Sequence, residues 1–266
     1  MITSDEEAYN IILNRIKCKN ITDVEKNILC LAILLMEDYS FVKNQTYPRP
    51  LHPDSTKRKD AYFTLIAIIL SLRTTLENEQ KAVNLFLKKY NSIYDVANTD
   101  VTTLKDIISC AGMPQKKSQA ILNITNYIIE NYSGDINNIN DGNISEIKDK
   151  LMKFPGVGEK SADCMLELAF NLPSIVVDIN VFRVTSRLFY LGENLSFSNK
   201  NDVQFVKKFL EKNIVHDYKM FQILHTIFLL HGKYICKSKP QCKSCKLKGQ
   251  CLYYKNNIKI DQLSLF

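Results

Sequence analysis

Four cysteines, Cys236, Cys242, Cys245 and Cys251, follow the pattern C-x5-C-x2-C-x5-C. Thiolates this close in sequence hold zinc or an iron–sulfur cluster, because both accept four sulfur ligands. The two well-separated C-x2-C pairs of a zinc ribbon are not there. Donor chemistry alone leaves zinc and a [4Fe-4S] cluster even. Cys18, Cys30, Cys110 and Cys164 lie in apolar helical patterns instead, and are expected to be reduced thiols packed in the core.

A second stretch with chemical content is FPGVGEKSADC, residues 154–164. Proline disfavours helix in the residue before it, so Pro155 ends the preceding helix at Phe154. Gly156 and Gly158 allow backbone conformations and close approaches that other residues do not. The next helix then starts with its first amides unpaired, which makes a site for an anion. Pro155, Gly156, Val157 and Gly158 could grip a nucleic-acid phosphate through backbone alone, a grip without sequence information. An ordinary tight turn between helices would have the same signature.

Lys160 sits in the first turn of that helix and opposes its macrodipole. That field, together with partial burial, favours the neutral amine, a nucleophile able to form a Schiff base with a sugar carbon. A solvated lysine lending charge near a phosphate is the plainer alternative. Asp178 ends the apolar run SIVVD and begins another helix. It is expected to be an N-cap. At the edge of a cleft its carboxylate could also take a proton from the lysine or stabilise positive charge on a deoxyribose ring.

The elements that must position these residues are helices almost throughout. Apolar residues recur at helical spacing in 5–17, 22–37, 60–72, 75–90, 100–110, 115–132, 144–153, 158–171, 178–191, 199–212 and 217–231. Thr22 and Glu25 have the spacing of a capping box, and Ser198 could cap a helix. SIVVD (174–178) reads as a lone β-like run without a partner. Two segments read as loops, 42–60 with its three prolines and 133–145, rich in Asn, Asp and Gly. The expected class is all-α, with the first loop as a hinge.

Composition agrees. Among 266 residues, 45% are hydrophobic, and 8 glycines and 7 prolines are too few for a turn-rich sandwich. The formal charge of +7 suits an acidic partner. The apolar runs 29–36 and 65–72 are too short to cross a bilayer, and MITSDEEAYN is no signal peptide. The chain is expected to be intracellular, without a membrane partner.

LMKFPGVGEKSADCMLELAF, then VVDINVFRVTSRL, then LLHGKYIC and the four cysteines resemble endonuclease III, of the helix-hairpin-helix DNA glycosylases with a C-terminal iron–sulfur cluster. The likeness runs from about residue 61 to 254. It implies a six-helix barrel domain at 60–172 and a second, cluster-bearing domain from 1–59 and 173–266, with hairpin and Lys160 facing Asp178 across a cleft. By position, Lys160 matches the nucleophile that attacks C1′, and Asp178 matches the catalytic aspartate. Together they imply a bifunctional glycosylase and AP lyase acting on damaged or abasic double-stranded DNA. Met113 matches the side chain that wedges into the duplex, Arg73 the residue that fills the vacated hole, and Asn180 a further DNA-site position. Cys236, Cys242, Cys245 and Cys251 match the [4Fe-4S] ligands, and the lysines between them would face the DNA backbone.

The chain departs from the family pattern at four places. Arg73 stands for the usual glutamine and Asn180 for histidine. The segment around 133–145 is about eight residues longer. The first cysteine gap is five residues, where six is usual. The last five residues, Gln262 to Phe266, resemble the peptide that docks into the bacterial sliding clamp. The resemblance also implies a cytoplasmic, nucleoid-associated monomer. Its rivals are a monofunctional mismatch, uracil, thymine or adenine glycosylase of the same fold, and a DNA-structure binder without chemistry.

Overall fold

The computed structural model describes the backbone of residues 5–39, 60–139 and 141–263, and the side chains of 6–36, 60–139 and 141–257. The chain opens with α1 (Asp5–Ile16) and α2 (Asp23–Tyr39). Seven helices follow: α3 (Ala61–Ser71), α4 (Leu76–Lys89), α5 (Ile93–Ala97), α6 (Val101–Ile107), α7 (Pro114–Tyr132), α8 (Ile144–Leu151) and α9 (Glu159–Leu168). The remainder holds α10 (Ile179–Leu188), α11 (Lys200–Asn213), α12 (Tyr218–Tyr234) and α13 (Leu252–Leu263). Among the described residues there is no strand, and no helix is long and apolar enough to cross a membrane.

Two compact units result. One is contiguous, Pro48–Leu172; the other is assembled from Met1–Tyr47 and Pro173–Phe266. The contiguous unit is built around α3, whose residues Ala61 to Leu70 are all buried. A helix apolar on every side has no face for water and must be surrounded; α4, α7 and α9 pack against it. A buried polar pair at α3 is satisfied: Tyr62 Oη lies 2.8 Å from Thr125 Oγ1, which donates to the Ile121 carbonyl at 2.7 Å. Burial pushes the Tyr62 phenol up. The split unit packs α1, α2, α10, α11 and α12 around Ile12, Leu29, Phe182, Leu210 and Phe228.

Several expectations are corrected. Cys18 and Cys30 are exposed and Cys110 is half-buried; only Cys164 of the scattered four is a core thiol. Cys18 lies beyond the end of α1 and Cys30 is an exposed position of α2, so apolar neighbours in sequence did not mean burial. Thr22 does accept from the Glu25 amide, at 3.1 Å. The Glu25 carboxylate, however, pairs with Arg15 at 2.7 Å and accepts from the Val215 amide at 3.0 Å. The cap of α11 is Asn199, not Ser198. SIVVD is buried and irregular, without strand pairing. In the 133–145 segment Ile136 and Ile139 form a 3-10 turn and are buried, so it is not simply a loop. The 42–59 loop and its hinge lie outside the described residues.

Candidate nucleic-acid interface and active site

The hairpin between α8 and α9 is anchored from behind. Phe154 is buried, with its ring 5.1 Å from Tyr127 and 5.7 Å from Tyr132 of α7. The Val157 amide closes the turn onto the Phe154 carbonyl at 3.0 Å, and the Val157 side chain is itself buried. Gly156 has φ +80°, a conformation that demands glycine. Gly158 has extended backbone that any residue adopts, and a Cβ there would meet no atom within 4 Å, so nothing in the protein itself requires glycine at this position. Lys148 of α8 staples the hairpin's two helices, 3.0 Å from Glu159 and 3.0 Å from Asp163. Burial works against its charge, but the two carboxylates outweigh burial and raise its pKa.

Most α-helices with described caps begin under a side chain: Asp60, Thr75, Ser92, Asp100, Asn143, Asp178, Asn199 and Asp217 each accept a first-turn amide. Two do not. They are α7, capped by Met113, and α9, capped by Gly158. Lys160 stands in the uncapped first turn of α9 and is exposed. The partial burial expected of it is absent.

Arg73 and Met113 come together at one end of the contiguous unit. Both are exposed and both are left-handed, at φ 50° and φ 61°. Such backbone is strained for long side chains and persists where surroundings enforce it. Here the loops touch backbone to backbone: a Cβ on Gly112 would sit 2.4 Å from the Arg73 carbonyl oxygen.

In the split unit Asp178 is buried and caps α10, accepting from the Asn180 and Val181 amides at 2.9 and 2.8 Å. Its other oxygen accepts from Asn180 Nδ2 at 3.1 Å. Asn180 Oδ1 in turn accepts from Arg183 Nη2 at 2.8 Å, and Arg183 Nε donates to the Cys236 carbonyl at 2.7 Å. Asn180, expected among DNA contacts, is thus occupied in orienting the carboxylate. Close packing of α12 permits this, since a Cβ on Gly232 would come 2.6 Å from the Asn180 Cβ.

All four clustered cysteines line one cavity, with His231, Arg187 and Tyr253 beside them. Leu247, between Cys245 and Cys251, is buried in the unit's core and pins the loop. Arg187 Nη1 approaches Cys236 Sγ at 3.6 Å and donates to the Lys237 carbonyl at 2.6 Å. Burial, and secondarily the neighbouring thiols, push Cys245 up to about 11 and raise Cys242 and Cys251. Among the described residues no three His, Cys, Asp or Glu converge closely enough to hold one metal ion. Lys237, Lys239, Lys243, Lys246 and Lys248 are all exposed.

Residues 66–212 match the family model of the HhH-GPD superfamily base excision DNA repair proteins. The chain belongs to that superfamily. Endonuclease III of Rickettsia prowazekii is 33% identical over 74% of this chain and 86% of its own length. Endonuclease III of Thermotoga maritima is 28% identical over 76% of this chain and 88% of its own. A solved trapped endonuclease III–DNA covalent intermediate superposes with a TM-score of 0.66 at 27% identity, covering 87% of this chain and 98% of that one. This HhH-GPD protein is accordingly a DNA-binding base excision repair enzyme, a DNA glycosylase and AP lyase. Sequence reasoning missed Arg183, Arg187 and Gly232; of these only Gly232, a glycine inside a helical pattern, left a signal in the sequence.

Proposed function

We propose that this enzyme removes a damaged base, an oxidised pyrimidine in the first instance, through a Schiff base at Lys160 and then cuts the strand by β-elimination. The observation that carries the reading is Lys160 itself, exposed on an uncapped helix start directly behind the Gly156 hairpin. The Lys160 amine bonds to C1′ as the base leaves with the glycosidic electron pair. Asp178 accepts the proton that the amine loses. The deoxyribose ring opens as the Schiff base forms, and loss of a C2′ proton expels the 3′-phosphate. Backbone amides of residues 156–160 hold a flanking phosphate, and Met113 and Arg73 fill the gap left by the extruded nucleotide. Residues 60–172 serve as the barrel domain of this reading, and 1–59 with 173–266 as the cluster domain.

Cys236, Cys242, Cys245 and Cys251 are proposed as ligands of a [4Fe-4S] cluster. In support, all four thiols border one shared cavity. A bound cluster would cross-link the loop that carries the five exposed lysines, which then meet the DNA backbone. One preparation tests both parts. Purified protein should hold about four irons per chain, and borohydride should link it covalently to abasic DNA. Zinc in place of iron would refute the cluster; absence of an adduct would favour a monofunctional glycosylase.

Gln262 to Phe266 are proposed to dock on a sliding clamp. Their side chains lie outside the described residues; the support is the sequence, two leucines and a phenylalanine beside a glutamine. Deleting the five should abolish clamp binding, an interaction near micromolar in strength, and leave excision on short duplexes unchanged. Clamp affinity that survives the deletion rules the tail out.

A further inference from the structure

Lys117 is buried in the contiguous unit, with its Nζ donating to the Leu70 carbonyl at 2.7 Å. The acceptor lies in the last turn of α3, where carbonyls lack helical partners and the macrodipole is negative. Leu70 comes three residues before left-handed Arg73, and Lys117 lies one turn after left-handed Met113, to whose carbonyl its amide donates at 3.1 Å. Two further ties join the same loops. Gly112 packs on the Arg73 carbonyl, and its amide reaches Thr74 Oγ1 at 3.4 Å.

An apolar side chain would fill the Lys117 site without desolvating an ammonium. What the ammonium adds is a directed bond between two helix ends. Burial lowers the pKa of Lys117, with Glu79 working the other way.

We infer that Lys117 is a positioning residue for base extrusion, locking the end of α3 to the start of α7 so that Arg73 and Met113 stay in register. This rests on the reading of those two residues as the probes of the duplex gap. Lys117 touches no DNA in this account; it preserves the strained geometry of side chains that do. Its contribution therefore falls on the step that extrudes a paired base, and much less on a site whose base is already gone.

Single-turnover excision of a lesion from a paired duplex, compared with strand cleavage at a preformed abasic site, separates these roles. Lys117→Met should slow excision about tenfold or more while abasic cleavage stays within about threefold. Equal losses in both reactions, or no loss in either, would overturn the inference. Combined with Met113→Ala, Lys117→Met should add little, because both act on one step. If Met113→Ala and Arg73→Ala each leave paired-lesion excision intact, the reading of the probes fails, whatever Lys117 does. Should Lys117→Met not accumulate as folded protein, Lys117→Arg keeps a donor with a bulkier head. It should show the same imbalance at smaller size, and a uniform loss would again overturn the inference.

Discussion

Lys160→Gln should abolish borohydride trapping and strand cleavage while binding to abasic DNA stays within a few-fold of the unaltered enzyme. Only one amine makes the covalent bond, so its loss cannot be made up by the phosphate grip, which runs through backbone. Glutamine removes the nucleophile and one charge, and a single exposed charge contributes modestly to DNA affinity. Because Lys160 is exposed, the substitution should alter stability by no more than about 0.5 kcal/mol. Loss of chemistry therefore cannot be blamed on unfolding. Trapping that persists in Lys160→Gln assigns the Schiff base to another lysine.

Asp178→Asn should slow base removal by about 10² to 10⁴. The substitution discriminates because asparagine is as good an N-cap as aspartate. Its Oδ1 can still accept the Asn180 and Val181 amides that Asp178 accepts now. The other position becomes an NH2 facing Asn180 Nδ2, a donor against a donor. Asn180 cannot turn its amide without losing the bond from Arg183, so a stability loss of about 1 kcal/mol is expected. Thermal unfolding measured beside single-turnover excision reads both effects. An excision rate within a few-fold of the unaltered enzyme would leave Asp178 as a cap alone.

The helices were legible where burial follows a 3.6-residue period, and α3 stood out because it is apolar all round. The short α5 was not: five residues carry less than two turns of pattern, and its capping box from Ser92 to Asp95 has to be seen in space. The 252–263 helix was missed as well. In the site, residues defined by their own chemistry could be read from sequence, as with Lys160, Asp178 and the four cysteines. Residues defined by a distant partner could not. Lys117 reaches a carbonyl 47 residues away and Arg183 one 53 residues away. Neither partner has a side-chain signature, because each is backbone. Burial of the scattered cysteines misled for a related reason: periodicity shows that a helix has an apolar face, but an exposed cysteine such as Cys30 leaves that pattern intact.

The split unit has a consequence for how the molecule is made. Helices α1 and α2 pack against α12, which begins at Tyr218. At about 5–20 residues per second, some ten to forty seconds of synthesis separate the end of α2 from the start of α12. The contiguous unit waits roughly half as long, since only about 90 residues separate the end of α3 from the start of α9, which packs against it. On the ribosome the second part of the sequence can therefore fold before the first. During that interval Ile12, Ile28 and Leu29, buried in the finished protein, lack the cover of α12 and stay open to chaperones and misassembly.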